Sequence, residues 1–137
     1  MDHLERLKEH RMKVIASNSA PRAIGPYSQA ILVGNMLFCS GQIPINPESG
    51  EVVRSSIEKQ TRQVLNNLGA VLKEAGMDYK DVVSVTVFMN DMGNYDQINH
   101  VYAEYFEDNP PARCIAEVAR LPKDVGLEIS LIAIKAH

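Results

Sequence analysis

Leu127-Glu128-Ile129-Ser130-Leu131-Ile132-Ala133-Ile134-Lys135, near the end of a 137-residue chain, is the stretch on which the fold turns. It reads as a strand, and strand side chains alternate between faces. Leu127, Ile129, Leu131 and Ala133 therefore point one way, and Glu128, Ser130, Ile132 and Ile134 the other. Both faces carry apolar area, so a sheet built on this strand needs cover on both sides. Helices can supply one cover, and we infer that the face without helices packs against another subunit.

Working outward, Arg113–Ala119 has a second strand pattern, joined to the first by the loop around Leu121-Pro122-Lys123-Asp124. Before it, Asn94 and Gln97 have the spacing of a capped helix start. Ile98, Val101, Tyr102 and Tyr105 then form one helical stripe that must end before Pro110-Pro111. Val82–Met89 is rich in β-branched residues and predicts a central strand, with Val83, Val85, Val87 and Met89 on one face. The clearest helix lies upstream, where Ser55 and Glu58 have capping-box spacing. There Ile57, Val64, Leu65, Leu68, Val71 and Leu72 recur at helical intervals, and Gly76 supplies a stop. Gly41 to Arg54, with Pro44, Pro47 and Gly50, reads as loop. Ala30–Val33 and Met36–Cys39 flank Gly34-Asn35 as a hairpin, and Val14–Ala16 reads as a short strand. The order β, ββ, α, β, α, ββ predicts an α+β domain over 14–137, a mixed sheet with two helices on one face. Residues 1–13 read as a charged N-terminal leader.

A composition of 45% hydrophobic and 23% charged residues is that of an ordinary globular domain. Two cysteines, Cys39 and Cys114, do not make a disulfide framework. A net charge of −3 weighs against a phosphate-gripping nucleic-acid binder. No apolar run has the length of a membrane span, and Asp2, Glu5 and Glu9 are foreign to secretory and transit peptides. The expectation is a cytoplasmic protein.

Among candidate chemical residues, His3 and His10 lie in the leader and His137 is the last residue. His100, midway along the second helix, reads as a surface residue, so zinc chemistry and a two-histidine nuclease mechanism lack their parts. Ser40-Gly41-Gln42 lacks the flanking glycine of a nucleophile elbow. Tyr27, Ser40, Asn99, Arg113 and Glu128 remain as polar residues that a bland fold would not need. Arg113 opens an apolar strand after Pro110-Pro111-Ala112 and suits planar carboxylate recognition, or else pairs with an acid such as Glu117. Glu128 interrupts an apolar strand, so its carboxylate meets either a partner such as Arg113 or Lys135, or a wet cleft where it takes a proton from water. Tyr27, between Pro26 and Ser28, reads as a loop anchor or a ligand-contacting ring.

Ile24-Gly25-Pro26-Tyr27-Ser28-Gln29-Ala30, Ser40-Gly41-Gln42-Ile43-Pro44, Pro111-Ala112-Arg113 and Leu121-Pro122-Lys123-Asp124-Val125 with Leu127-Glu128-Ile129 occur together and in order. From about Val14 to Ala136 the chain resembles the Rid/YjgF family, the reactive intermediate deaminases, also called endoribonuclease L-PSP. The resemblance implies a chorismate-mutase-like fold and a homotrimer whose sheets pack inward as a barrel, with clefts between subunits. It implies hydrolysis of 2-imino acids, released by pyridoxal-phosphate enzymes, to 2-oxo acids and ammonia, without a cofactor or metal. Carried over by motif, Arg113 would clamp the substrate carboxylate and Glu128 would activate water, while Tyr27, Ser40, the Gly41 backbone and Asn99 would line the pocket. The alternatives are cleavage of single-stranded RNA with translation inhibition, and a non-enzymatic ligand-binding or chaperone-like role.

The chain departs from many relatives by carrying Ile115 two residues after Arg113, where they have cysteine; its own thiol is Cys114. Arg113 and Ile115 share a strand face and Cys114 takes the opposite one. With the cleft on the Arg113 side, Cys114 is expected in the core, and Cys39 reads as buried packing.

Overall fold

The computed structural model describes residues 12–136 together with Asp2, Leu4 and Glu5. Most of the expected leader, with His3 and His10, and the terminal His137 lie outside the described residues. Strands β1 (Met12–Ile15), β2 (Ala30–Val33) and β3 (Met36–Gln42) are followed by helix α1 (Ile57–Glu74) and strand β4 (Val82–Met89). Helix α2 (Tyr95–Tyr105), β5 (Ala112–Glu117) and β6 (Leu127–Ile134) complete the order. All six strands form one sheet in the order β1-β2-β3-β6-β4-β5. Only β4 and β5 pair in parallel. The last strand is therefore inserted antiparallel between β3 and β4, which run parallel to each other. Both helices are crossovers between parallel strands, and both lie on one face, as the α+β reading requires.

The alternation along β6 is reproduced. Leu127, Ile129, Leu131 and Ala133 are at most 3% exposed and pack against Leu65, Leu68, Leu72 and Ile98 of the helices. Burial of this size is the dominant favourable term in folding. On the opposite face Val14, Ile31, Phe38 and Ile132 stand in register across four strands. Val14 is 58% and Phe38 42% exposed, so none of the described residues covers this row.

Several local expectations are corrected. β1 begins at Met12, and β3 runs on through Gln42 rather than ending at Cys39. In β4 the pairing with β6 slips between Val82 and Ser84, so Val82 turns inward and Val83 outward. The extra residue of a β-bulge reverses the alternation upstream of it. Helix α1 is capped by Ser56, whose Oγ accepts from the Lys59 N–H at 3.2 Å, so Ser55 is one residue too early. Before α2 the side-chain cap is Asp91, which starts a short 3₁₀ turn, and Asn94 makes no capping bond. Gly76 does end α1, with φ at +74°. Among the described residues no helix is long and apolar enough to cross a membrane.

The loop after β3 is tied down from α1. Asn67, 1% exposed, donates from Nδ2 to the Ile45 carbonyl at 2.9 Å, and its Oδ1 accepts from Gln63 Nε2 at 2.8 Å. Beneath the loop Ile43, Ile45, Leu121 and Val125 make a second, smaller apolar cluster. Asn67→Ala leaves the buried carbonyl unpaired and is expected to lower stability by about 1–3 kcal/mol. The readout is the midpoint of urea unfolding at fixed protein concentration. An unchanged midpoint would show that the loop is held without this side chain.

Candidate functional site

Arg113 sits on the edge strand β5, with its side chain on the helix-bearing face opposite Val85. Its Nη1 donates to Asn99 Oδ1 at 2.7 Å and its Nη2 to the Tyr95 hydroxyl at 3.2 Å. The guanidinium carbon lies 4.8 Å from the centre of the Tyr102 ring, within cation–π range. These partners are all uncharged. Glu117 does not pair with Arg113 but accepts from the Met92 N–H at 2.8 Å. The guanidinium is thus oriented while no carboxylate among the described residues pairs with it, which suits it to an incoming one. The Tyr102 hydroxyl is buried without a hydrogen-bond partner among the described residues. Burial pushes its pKa up, and Arg113 pulls it back.

Glu128 stands on the opposite, helix-free face, in register with Phe88. Glu128, Gly41, Tyr27, Arg22 and Pro122 line a cavity of about 50 Å3. Between the Cys39–Leu131 and Gln42–Ile129 pairs the strand bulges at Ser40-Gly41, which brings the Gly41 backbone against the carboxylate. A Cβ on Gly41 would lie 2.8 Å from Glu128 Cδ, so only glycine leaves the carboxylate its place. Among the described residues the ion pairs are Arg62–Glu104 and Arg120–Asp124, and neither Arg113 nor Lys135 reaches Glu128. Partial burial raises the Glu128 pKa above the ordinary carboxylate value.

The cavity wall is fixed by backbone bonds. The Tyr27 hydroxyl accepts from the Ile24 N–H at 3.2 Å, so Tyr27 both anchors its loop and lines the cavity. Ser40 Oγ donates to the Ser28 carbonyl at 2.6 Å, which commits that hydroxyl to holding the same loop. Buried Gln29 accepts from the Ser17 N–H at 2.7 Å and donates to the Pro21 carbonyl at 2.8 Å.

The expected residues therefore fall into two groups. Tyr27, Ser40, Gly41 and Glu128 gather at one end of the helix-free face, while Asn99 and Arg113 meet on the other face. Within one chain Arg113 and Glu128 are not neighbours, because β4 runs between their strands and their side chains take opposite faces. Cys114 is exposed on the uncovered face, contrary to the core placement expected for it. Alternation assigns its face correctly, but none of the described residues covers that face. Cys39 is buried, and burial pushes its thiol up to about 12. His100 is exposed. The sequence reading missed Tyr95, Arg22 and Gln29, and it placed Tyr102 only in the core stripe. Tyr95 lies four residues before Asn99, on the same helix face, and that spacing was the available signal.

Residues 17–135 match the family model described as Endoribonuclease L-PSP. A RutC family protein of Pyrococcus horikoshii is 54% identical over 123 residues, covering 90% of this chain and 98% of that one. The human 2-iminobutanoate/2-iminopropanoate deaminase is 43% identical, covering 90% of each. Among solved structures, E. coli TdcF with bound serine superposes with a TM-score of 0.87 at 42% identity, over 90% of this chain and 99% of that one. The fold, the two polar groups and these relatives place the chain in one class of small α+β proteins. It belongs to the Rid/YjgF family, the family of endoribonuclease L-PSP.

Gly41→Ala is expected to push the Glu128 carboxylate out of its seat while β3 stays paired. Any reaction that needs this carboxylate should fall at least about tenfold, the size of one lost positioned contact. Full activity in a folded Gly41→Ala variant would remove the Gly41–Glu128 contact from the account.

Proposed function

We propose that the protein hydrolyses 2-imino acids to 2-oxo acids and ammonia, at sites assembled between neighbouring copies in a homotrimer. The observation that carries this reading is the separation of the two polar groups. An uncompensated guanidinium and a carboxylate of raised pKa face opposite sides of one sheet, and the carboxylate's side is apolar and uncovered. A second copy packed on that side can bring its Arg113 toward this Glu128. The deaminase name of the human relative and the serine bound to TdcF support a small amino-acid-like substrate.

The chemistry needs no covalent nucleophile, because a protonated imine carbon is already electrophilic. Arg113 binds the carboxylate and sets the imine carbon in place. Glu128 takes a proton from water as the water oxygen bonds to that carbon, and the C=N π pair moves onto nitrogen. Protonated Glu128 then returns that proton to the carbinolamine nitrogen. The C–N bond breaks with its electron pair leaving as ammonia, the hydroxyl oxygen forms the carbonyl, and its proton is released. RNA cleavage gains less support, since the chain is acidic overall and its one described histidine lies exposed on α2, away from both polar groups.

The direct assay adds the protein to threonine and a threonine dehydratase and follows release of 2-oxobutanoate and ammonia. Arg113→Ala loses a charge-assisted contact of about 1.5–3 kcal/mol and should lower kcat/KM roughly ten- to a hundred-fold, chiefly through KM. Glu128→Gln should act chiefly on kcat. Normal turnover by both variants would remove these roles.

The pH dependence carries a defined sign. Glu128 works only when ionised, and its pKa is raised by burial. Activity should therefore fall as pH drops through a value above the usual ~4.3 of a glutamate. Glu128→Gln should erase this acid limb. A limb that persists unchanged in the variant would assign it to another group.

A further inference from the structure

We propose that Arg22 selects imino acids whose side chain carries a second carboxylate; the inference rests on the deaminase reading above and names its substrate class. Arg22 lines the same small cavity as Glu128. It also lines a larger hollow outside it, of about 540 Å3, shared with Lys123, Asn46 and Glu48. The two spaces have Pro21, Arg22, Ile24 and Ile45 in common, so Arg22 belongs to the wall that both share.

Its backbone is held there rather than left to drift. The preceding carbonyl, of Pro21, accepts from buried Gln29 Nε2 at 2.8 Å, and Tyr27 closes the other end of the turn through its bond with the Ile24 N–H. The guanidinium itself makes no hydrogen bond or ion pair among the described residues. Glu48, the one carboxylate lining the outer hollow, pairs with neither Arg22 nor Lys123. Lys123, in the same lining, sits in the left-handed region with φ at +56°, and its carbonyl accepts from Arg54 Nη2 at 2.8 Å. Two cations without an ion-pair partner among the described residues, Arg22 and Lys123, thus line the larger hollow.

The inner cavity, of about 50 Å3, is much smaller than the hollow of about 540 Å3 beside it. With the reacting carbon beside Glu128 and its carboxylate on the neighbouring Arg113, a side chain longer than two carbons extends along the shared wall that carries Arg22. Its end then meets Arg22. A guanidinium fork there favours a terminal carboxylate and disfavours a cationic one, so discrimination arises from both attraction and repulsion. Screening by salt weakens this contact, because Arg22 is exposed.

The test compares imines made in situ by amino-acid oxidases, with catalase present, from glutamate or aspartate and from 2-aminobutanoate. The readout is kcat/KM for conversion to the 2-oxo acid. Arg22→Ala should lower the ratio of dicarboxylic to monocarboxylic kcat/KM at least about tenfold, mainly through KM, and Arg22→Glu further. Arg22→Lys should restore part of the ratio, and added salt should shrink it in the natural protein. A ratio that Arg22→Ala and Arg22→Glu leave unaltered, with 2-iminobutanoate still hydrolysed, overturns the role of Arg22 and leaves the deaminase reading standing. No acceleration of either imine by the natural protein overturns both.

Discussion

The antiparallel insertion of Leu127–Ile134 between β3 and β4 is the constraint from which the other features follow. Those two strands run parallel and do not pair with each other, so β6 is what makes them one sheet. One side of β6 supplies Leu127, Ile129, Leu131 and Ala133 to the core beneath the helices. The other side carries Glu128 at one end and an apolar row with Ile132 toward the other. A single strand therefore sets the core, the carboxylate and the uncovered face.

The electrostatics follow the same division. Arg113 is surrounded by aromatic rings and neutral acceptors that orient it without neutralising it. Glu128 is partly buried against the Gly41 backbone and has no ion-pair partner among the described residues, and this burial raises its proton affinity. Each arrangement costs stability if left alone, since an unpaired charge is poorly placed away from water. A small substrate with a carboxylate and an electrophilic carbon complements both at once, provided two copies bring the halves together.

Much of this was legible in the sequence. The two-sided alternation of Leu127–Lys135 led to a sheet covered by helices on one face only, and the periodicity of Ile57–Leu72 to the helix beneath it. Four motifs in order identified the family. What stayed hidden has physical causes. A bulge such as that at Val82–Val83 adds a residue without altering the local pattern, so the inward and outward valines exchange unseen. Alternation placed Cys114 opposite Arg113, but it says nothing about whether a face is covered. The sequence left open an ion pair between Glu128 and Arg113 as one alternative to a wet cleft. Only the register across β4 reveals that they take opposite faces of the same chain.

The central claim is that a working site takes Arg113 from one copy and Glu128 from another, and complementation between inactive subunits tests it most directly. Arg113→Ala and Glu128→Gln chains would be mixed in equal amounts, unfolded, refolded together, and assayed for imine hydrolysis. The account predicts recovery of about a quarter of the natural activity, because random assembly pairs an intact arginine with an intact glutamate at about one interface in four. Activity no higher than that of either variant refolded alone, in properly assembled oligomers, would contradict it.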